Sequence, residues 1–439
     1  MALVVTLTEA GAAGSGVSAV GGKGASLGEL ARAGVAVPPG FVVTVEAFAA
    51  AMAAIDPSGA HRASVEALGA SDLAGIAAVA ARLRALVTEA PLPDEVAAAI
   101  SSGYAALGPG SRTEGGAGTE GGAEAEGGAG TEVGAEAEGG PGAGADVAVR
   151  SSATVEDSAE ASFAGLQDTY LGVTGAASVL GYVRRCWASL YNDESVAYRR
   201  RLGLPEAGVA MAVVVQRMVA PRAAGVMFTR SPVTGDRSVV AIEGTWGLGS
   251  ALVSGDVTPD SWVISKITGE ITGRRVSSKV KIHIPIQNGS VTPPSPPPAA
   301  AGDAPAPAAD PVAGGAAAAP VSVSAAAPSE LGWVTVRDTP AELRDAPCLT
   351  DDEIRALAAV ARRVEAHYGA PQDIEWAVLD APFTQSAGAS EASGASAESR
   401  VVLLQSRPET VWAARDVAPA GAPKPRAADH VLALFGKPL

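Results

Sequence analysis

The chain has 439 residues, 47% of them apolar, which is enough for a large buried core and roughly two or three domains and excludes a disordered protein. Its 47 Asp and Glu against 32 Lys and Arg leave a net charge of −15, a field that repels phosphate backbones and argues against nucleic acid or an anionic membrane as a partner. Seven glutamates between Glu114 and Glu138 supply much of the excess, so the charge belongs to a linker and a local basic pocket stays compatible with it.

Cys186 and Cys348 lie far apart with no His or Cys at metal spacing, which excludes a disulfide framework and a structural zinc site. Cys186, in an apolar helical pattern, reads as a buried thiol. The N-terminus carries no basic region followed by an apolar core, and no apolar run reaches membrane length, so a cytoplasmic protein is expected.

In chain order, a strand is expected at Val4 to Leu7, then a glycine loop and a helix from near Lys23 with Leu27, Leu30 and Ala31 on one face and Gly34 as its C-cap. Pro38-Pro39-Gly40 turns the chain into a strand at Phe41 to Thr44. Alanine-rich helix follows from Glu46 to Ile100, broken near Pro57-Ser58-Gly59 and Pro91-Leu92-Pro93. From about Gly108 to Gly144 the composition is Gly, Ala, Glu and Thr, and Ala-Glu-Ala-Glu-Gly-Gly occurs at Ala123 and again at Ala135. Such a repeat cannot bury a core and reads as a flexible linker.

Val147-Ala148-Val149 then delivers Arg150 to a strand end, and the small residues after it keep the backbone open to a polyanion. Arg150 can grip phosphate through two parallel hydrogen bonds, although a strand ending in Arg-Ser-Ser also reads as an ordinary turn with a solvated arginine. Lys23 sits between glycines at a helix start, where the dipole already favours anions and an anionic ligand would relieve the mismatch. A helix with Val179, Leu180, Val183, Trp187, Leu190 and Tyr191 on its core face comes next. Its basic continuation, Arg199-Arg200-Arg201, reads as a solvated helix terminus or as a nucleotide contact.

Strands are expected at Met211 to Gln216, Gly225 to Thr229 and Val239 to Glu243. Gln216 closes the first and is either bonded to neighbouring backbone or turned to a ligand. Glu243 closes the third, before a glycine-rich turn at Gly244 to Gly249 that either approaches nucleotide or packs beside Trp246. Low-complexity segments recur at Asn288 to Ser329 and Thr384 to Ser399, where a scaffold places surface loops.

Near the C-terminus, Asp373 and Glu375 point one way while Ile374, Trp376 and Val378 point the other, and Gln405 and Arg407 share a face of a second strand. A hairpin pairing Asp380 near Arg400 sets Glu375 opposite Gln405. A carboxylate, an amide oxygen and a guanidinium then converge: two hard oxygen ligands for Mg²⁺ and a cation for a terminal phosphate. The alternative is a surface salt bridge between Glu375 and Arg407, contributing at most about 1 kcal/mol.

The run Val147 to Tyr170 resembles the signature of the nucleotide-binding domain shared by phosphoenolpyruvate synthases, pyruvate phosphate dikinases and rifampicin phosphotransferases. Val20-Gly21-Gly22-Lys23-Gly24 onward to Phe41, Val215-Gln216-Arg217-Met218-Val219, Gly225 to Arg230, Trp246 to Gly249, and the pair Asp373 to Ala377 and Leu404 to Pro408 agree with it in the family's order. The resemblance implies an α+β ATP-grasp fold over residues 1–415, two lobes closing on ATP and interrupted by inserts near 108–146, 287–330 and 383–399. Residues 416–439 remain as a linker with a short tail helix at Ala427 to Phe435. It also implies an ATP-dependent phosphotransferase in which Lys23, Arg150 and Arg407 act on the phosphates, Gly165 and Thr169 line the phosphate loop, and Gln216 recognises adenine. Glu375 and Gln405 would hold Mg²⁺, and Glu243 joins the cofactor-binding set.

In the family a separate swivelling domain carries a histidine that takes a phosphoryl group from ATP. None of His61, His283, His367 and His430 follows the family's threonine and glycine-rich approach. Three readings follow: a catalytic subunit with its histidine domain on a partner protein, a truncated or stand-alone phosphoenolpyruvate synthase relative, and a nucleotide-sensing module without transfer chemistry. Retention of the phosphate and metal set together favours the first two.

Overall fold

The computed structural model describes residues 2–12, 16–69, 71–108, 144–154, 157–158, 161–162, 168–206, 208–286, 294, 324–325, 333–383, 396–410 and 412. Gly165, the repeat between Glu114 and Glu138, His430 and the expected tail helix lie outside these residues.

The elements run β1 (Val4–Thr6), α1 (Leu7–Ala10), α2 (Val17–Arg32), β2 (Gly40–Val43), α3 (Val45–Ile55), α4 (Ala60–Glu66), α5 (Leu73–Glu89), α6 (Asp94–Ala106), β3 (Val147–Ala153), β4 (Asp157–Ser158), β5 (Ala161–Ser162), β6 (Asp168–Val173), α7 (Ala176–Ser189) and α8 (Asp193–Leu202). They continue with β7 (Met211–Arg217), β8 (Ala223–Phe228), β9 (Val239–Trp246), α9 (Ser250–Val253), β10 (Asp260–Ser265), β11 (Ile271–Arg275), β12 (Lys281–Pro285), β13 (Ser324–Ala325), β14 (Val334–Asp338), α10 (Ala341–Arg344), α11 (Asp351–Tyr368), β15 (Gln372–Val378) and β16 (Val401–Pro408). The class is α+β, and in the two six-stranded sheets the neighbouring strands are antiparallel apart from the β13–β6 pair.

Two compact units emerge: Met1–Glu29, Pro38–Val219 and Val323–Val334 form the first; Leu30–Val37, Ala220–Ser322 and Thr335–Leu439 form the second. The first is built on a six-stranded sheet in the order β1-β2-β7-β3-β6-β13. Alternation along its strands produces one apolar row, Phe41, Val215, Val149 and Tyr170, which joins Ile76, Leu83, Val183 and Trp187 of α5 and α7 in a common core. The opposite face carries Val42, Val214, Arg150 and Thr169 in register, with Gln216 and Ser152 one step to either side.

The second unit holds the sheet β11-β10-β9-β8-β15-β16. Trp262, Ile242, Met227, Ile374 and Ser406 line up across it, all at most 3% exposed. The helix α11 packs on this sheet through Ile354, Leu357, Ala361 and Val364. Its start is fixed by a capping box, in which Glu353 N–H donates to Thr350 Oγ1 and Thr350 N–H to Glu353 Oε2. Gly225 and Gly244 pair across β8 and β9 because Trp376 occupies the space a side chain would need: a Cβ on either would stand 2.8 Å from its ring.

Several sequence expectations are corrected here. Leu7 starts α1 instead of ending β1, because Thr6 caps that helix and its hydroxyl accepts from Glu9 N–H. A third break, after Glu66, separates α4 from α5, whose start Asp72 caps. Glu243 lies inside β9, which runs on to Trp246. Arg199 is no solvated helix end: it is 2% exposed, donates to both carboxylate oxygens of Glu206 at 2.9 and 3.0 Å, and donates to Leu190 O.

Candidate functional site

The polar face of the first unit's sheet gathers one group of candidates. Arg150, 6% exposed, stands in register with Thr169 on β6 and extends Nη1 to Gln216 Oε1 on β7 at 3.5 Å. Gln216 is 3% exposed, and its Nε2 donates to Pro38 O at 3.3 Å, so the amide is fixed by backbone, as the simpler reading of a strand-end glutamine expects. Ser152, two residues beyond Arg150 on the same face, holds the glycine loop. Its Oγ donates to Val20 O at 2.9 Å and accepts from Gly24 N–H at 3.1 Å.

That clamp explains the glycine pattern around Lys23. Gly21 adopts φ +68°, breaking α2 into two helical pieces, and a Cβ there would lie 2.0 Å from Ser152 O. Lys23, half-buried, therefore opens the second piece, one residue from the Gly24 amide that Ser152 holds. The sequence pointed to the lysine and the arginine but not to the serine tying their segments together; the only signal was its place at i+2 from Arg150.

The second group sits on the face of the other sheet opposite α11. Glu243, Val226, Glu375 and Gln405 form one row; Ala241, Phe228, Asp373 and Arg407 form the next. Val226, Phe228, Ile374 and the four polar residues Asp373, Glu375, Gln405 and Arg407 line a shallow depression there. The register Glu375 to Gln405 is the one expected. Its anchor is not: Leu379 N–H donates to Arg400 O, and a β-bulge after Glu375 takes up the extra residue, Leu404.

The ion pair of Arg407 is with Asp373, Nε to Oδ2 at 3.6 Å across directly paired positions, and not the Glu375 bridge weighed from the sequence. Burial pushes the Asp373 carboxyl up to about 6, and the arginine offsets only part of that. Its Oδ1 is buried without a hydrogen-bond partner. Burial likewise raises Glu243 above the usual carboxylate range. A half-buried carboxylate with one unpartnered oxygen, such as Asp373, is what a divalent cation would satisfy. Asp373, Glu375 and Gln405 suit Mg²⁺, which needs only one or two protein carboxylates when phosphates and water complete its shell. Asp373 is the residue the sequence reading left out, although its period-2 spacing from Glu375 already placed it on the same face.

A family model, "Pyruvate phosphate dikinase, AMP/ATP-binding domain", matches residues 17–117, 124–302 and 317–427. The chain belongs to this family. A rifampicin phosphotransferase from a Streptomyces species is 39% identical over 384 residues, covering 87% of this chain and 35% of that protein. A probable phosphoenolpyruvate synthase of Methanothermobacter thermautotrophicus is 34% identical over 90% of this chain and 44% of its own length. The phosphoenolpyruvate synthase of Aeropyrum pernix is 36% identical over 90% and 41%, respectively. The chain thus spans less than half the length of these relatives. Among the described residues no helix is long and apolar enough to cross a membrane.

Proposed function

We propose that this chain is the ATP-binding part of a phosphotransferase, an ATP-grasp domain over residues 1–415 whose two units close on Mg-ATP and ready it for phosphoryl transfer to a histidine on a separate domain or subunit. The observation that carries this reading is the meeting of Asp373, Glu375, Gln405 and Arg407 in one depression. Glu375 and Gln405, with Asp373 beside them, would hold Mg²⁺, whose part is to neutralise and orient the phosphate oxygens. Arg407 would place a fixed positive charge against the terminal phosphate, and Lys23 and Arg150 would supply the same from the first unit. Thr169 beside Arg150, and Gly165 within the same loop, would line the phosphates. Gln216 would meet the adenine, and Glu243 would border the nucleotide from β9.

One histidine is already committed to the fold. His283 is fully buried and already bonded at both ring nitrogens, and His367 ends α11 against Tyr368. The expected result is Mg-ATP binding in the micromolar to millimolar range typical of enzyme substrates. Glu375→Gln, Arg407→Ala and Arg150→Ala should each weaken it by about tenfold or more, since a lost charge-assisted contact is worth roughly 1.5–3 kcal/mol. Calorimetry giving wild-type affinity in all three variants would remove the assignment.

A further inference from the structure

The glycine turn after β9 is held by one side chain from a different strand. His283 on β12 is 0% exposed. Its Nε2 lies 3.1 Å from Asp256 Oδ2 and its Nδ1 lies 2.9 Å from Ser250 Oγ, the first residue of α9. A carboxylate can only accept, so Asp256 puts the ring proton on Nε2, leaving Nδ1 to accept the Ser250 hydroxyl proton. Burial lowers the affinity of His283 for a second proton, against the pull of Asp256, which keeps this tautomer in place at neutral pH. Asp256 is itself oriented by Ser254 Oγ, which donates to it at 2.6 Å.

The backbone repeats the connection. Leu248 N–H donates to His283 O at 2.9 Å, and Gly247, at φ +69°, passes so close that a Cβ would stand 2.4 Å from the same oxygen. The turn so held returns to the sheet at a defined place. A Cβ on Gly249 would meet the Ala224 methyl at 3.7 Å. Ala224 is two residues from Val226 on β8 and so shares its face, the face that carries Glu375, Gln405 and Arg407. The Gly247–Ser250 turn therefore meets this face one residue row from Glu375, and the Asp256–His283–Ser250 relay sets where the turn stands.

We infer that His283 is a positioning residue for nucleotide binding: through Ser250 it holds the glycine turn against the Glu375 face, and nucleotide affinity depends on that hold. The inference rests on the nucleotide reading of this face, but its first readout does not. Hydrogen–deuterium exchange of the peptide spanning Trp246 to Ala251 is compared in wild-type chain, His283→Ala, His283→Gln and Ser250→Ala, without nucleotide. Glutamine offers an acceptor and a donor on one planar group, so it can replace the neutral ring's polarity. Exchange should rise about tenfold in His283→Ala and in Ser250→Ala, and return to within about threefold of wild type in His283→Gln. Mg-ATP affinity, measured by calorimetry, should follow the same order.

Unchanged exchange in Ser250→Ala, which removes one oxygen from a half-exposed site and spares the fold, overturns the relay. Raised exchange with unchanged Mg-ATP affinity overturns the positioning role while leaving the relay standing. Failure of the site itself shows separately, as a Glu375→Gln variant that binds Mg-ATP like wild type.

Discussion

Lys279→Ala is expected to lower the stability of the second unit by about 3–5 kcal/mol, the usual cost of leaving a buried charge uncompensated. Lys279 Nζ lies 2.6 Å from Asp260 Oδ1, and both side chains are 0% exposed. The lysine also donates to Ser277 O at 2.8 Å, while the carboxylate accepts from Ser277 N–H and Cys348 N–H, each at 2.9 Å. Truncation leaves Asp260 with two backbone donors and no counter-charge, at the point where β10, the Ser277–Lys279 segment and Cys348 meet. Urea unfolding followed by tryptophan fluorescence measures the loss, and the double variant Asp260→Asn/Lys279→Met should recover most of it, because the cost lies in the unpaired charge. A loss below about 1 kcal/mol for the single variant would mean that water reaches the pair.

Asp373→Asn should have the opposite sign. The Asp373 carboxyl is held near 6 in the folded chain against an ordinary value of 3.8. A carboxyl whose folded value is raised contributes stability in its protonated form, fully present below about pH 4 and lost as the pH rises through 6. At pH 8 the nucleotide-free chain therefore carries a carboxylate it would be more stable without, by roughly 3 kcal/mol at most if the whole displacement is counted. In the presence of a chelator, Asp373→Asn should be about 1–3 kcal/mol more stable than wild type at pH 8 and indistinguishable from it at pH 4. The same variant should bind Mg-ATP more weakly, the trade of stability for function seen where a site stores unfavourable charge. A variant less stable than wild type at pH 8 would show that the Arg407 contact outweighs burial.

How much of this was legible in the sequence depends on how local the cause is. The strands of β3, β7 and β15 are visible as valine-rich or alternating runs. The facing of Glu375 and Gln405 follows from alternation plus one assumed register. Long-range partners were not legible. Nothing local announces that Arg199 turns inward to Glu206, since a row of three arginines at a helix end is ordinarily solvated. Nor does a local pattern show that Asp373 is desolvated, because its burial is created by neighbours on β8 and β16. Gln216 could be read either as structural or as a ligand contact; its bond to Pro38 O fixes the amide's nitrogen and leaves its oxygen beside Arg150.

The bulge at Leu404 alters the parity of β16. Without it, Val401, Leu403, Gln405 and Arg407 would all project from one face. With it, Leu403 pairs with Trp376 on the buried side, whereas Gln405 pairs with Glu375 on the other. A single strand thereby supplies core at its start and ligands at its end. The ends of the connection from β15 to β16 continue the pairing, Leu379 N–H donating to Arg400 O and Phe383 N–H to Ser399 O, while the facing of Glu375 and Gln405 is set by the bulge and by pairing along the two strands and with β8. Loop length and ligand geometry are uncoupled, so this connection can lengthen or shorten by odd or even numbers of residues while the Gln405 amide and the Arg407 guanidinium stay on the same side of the sheet.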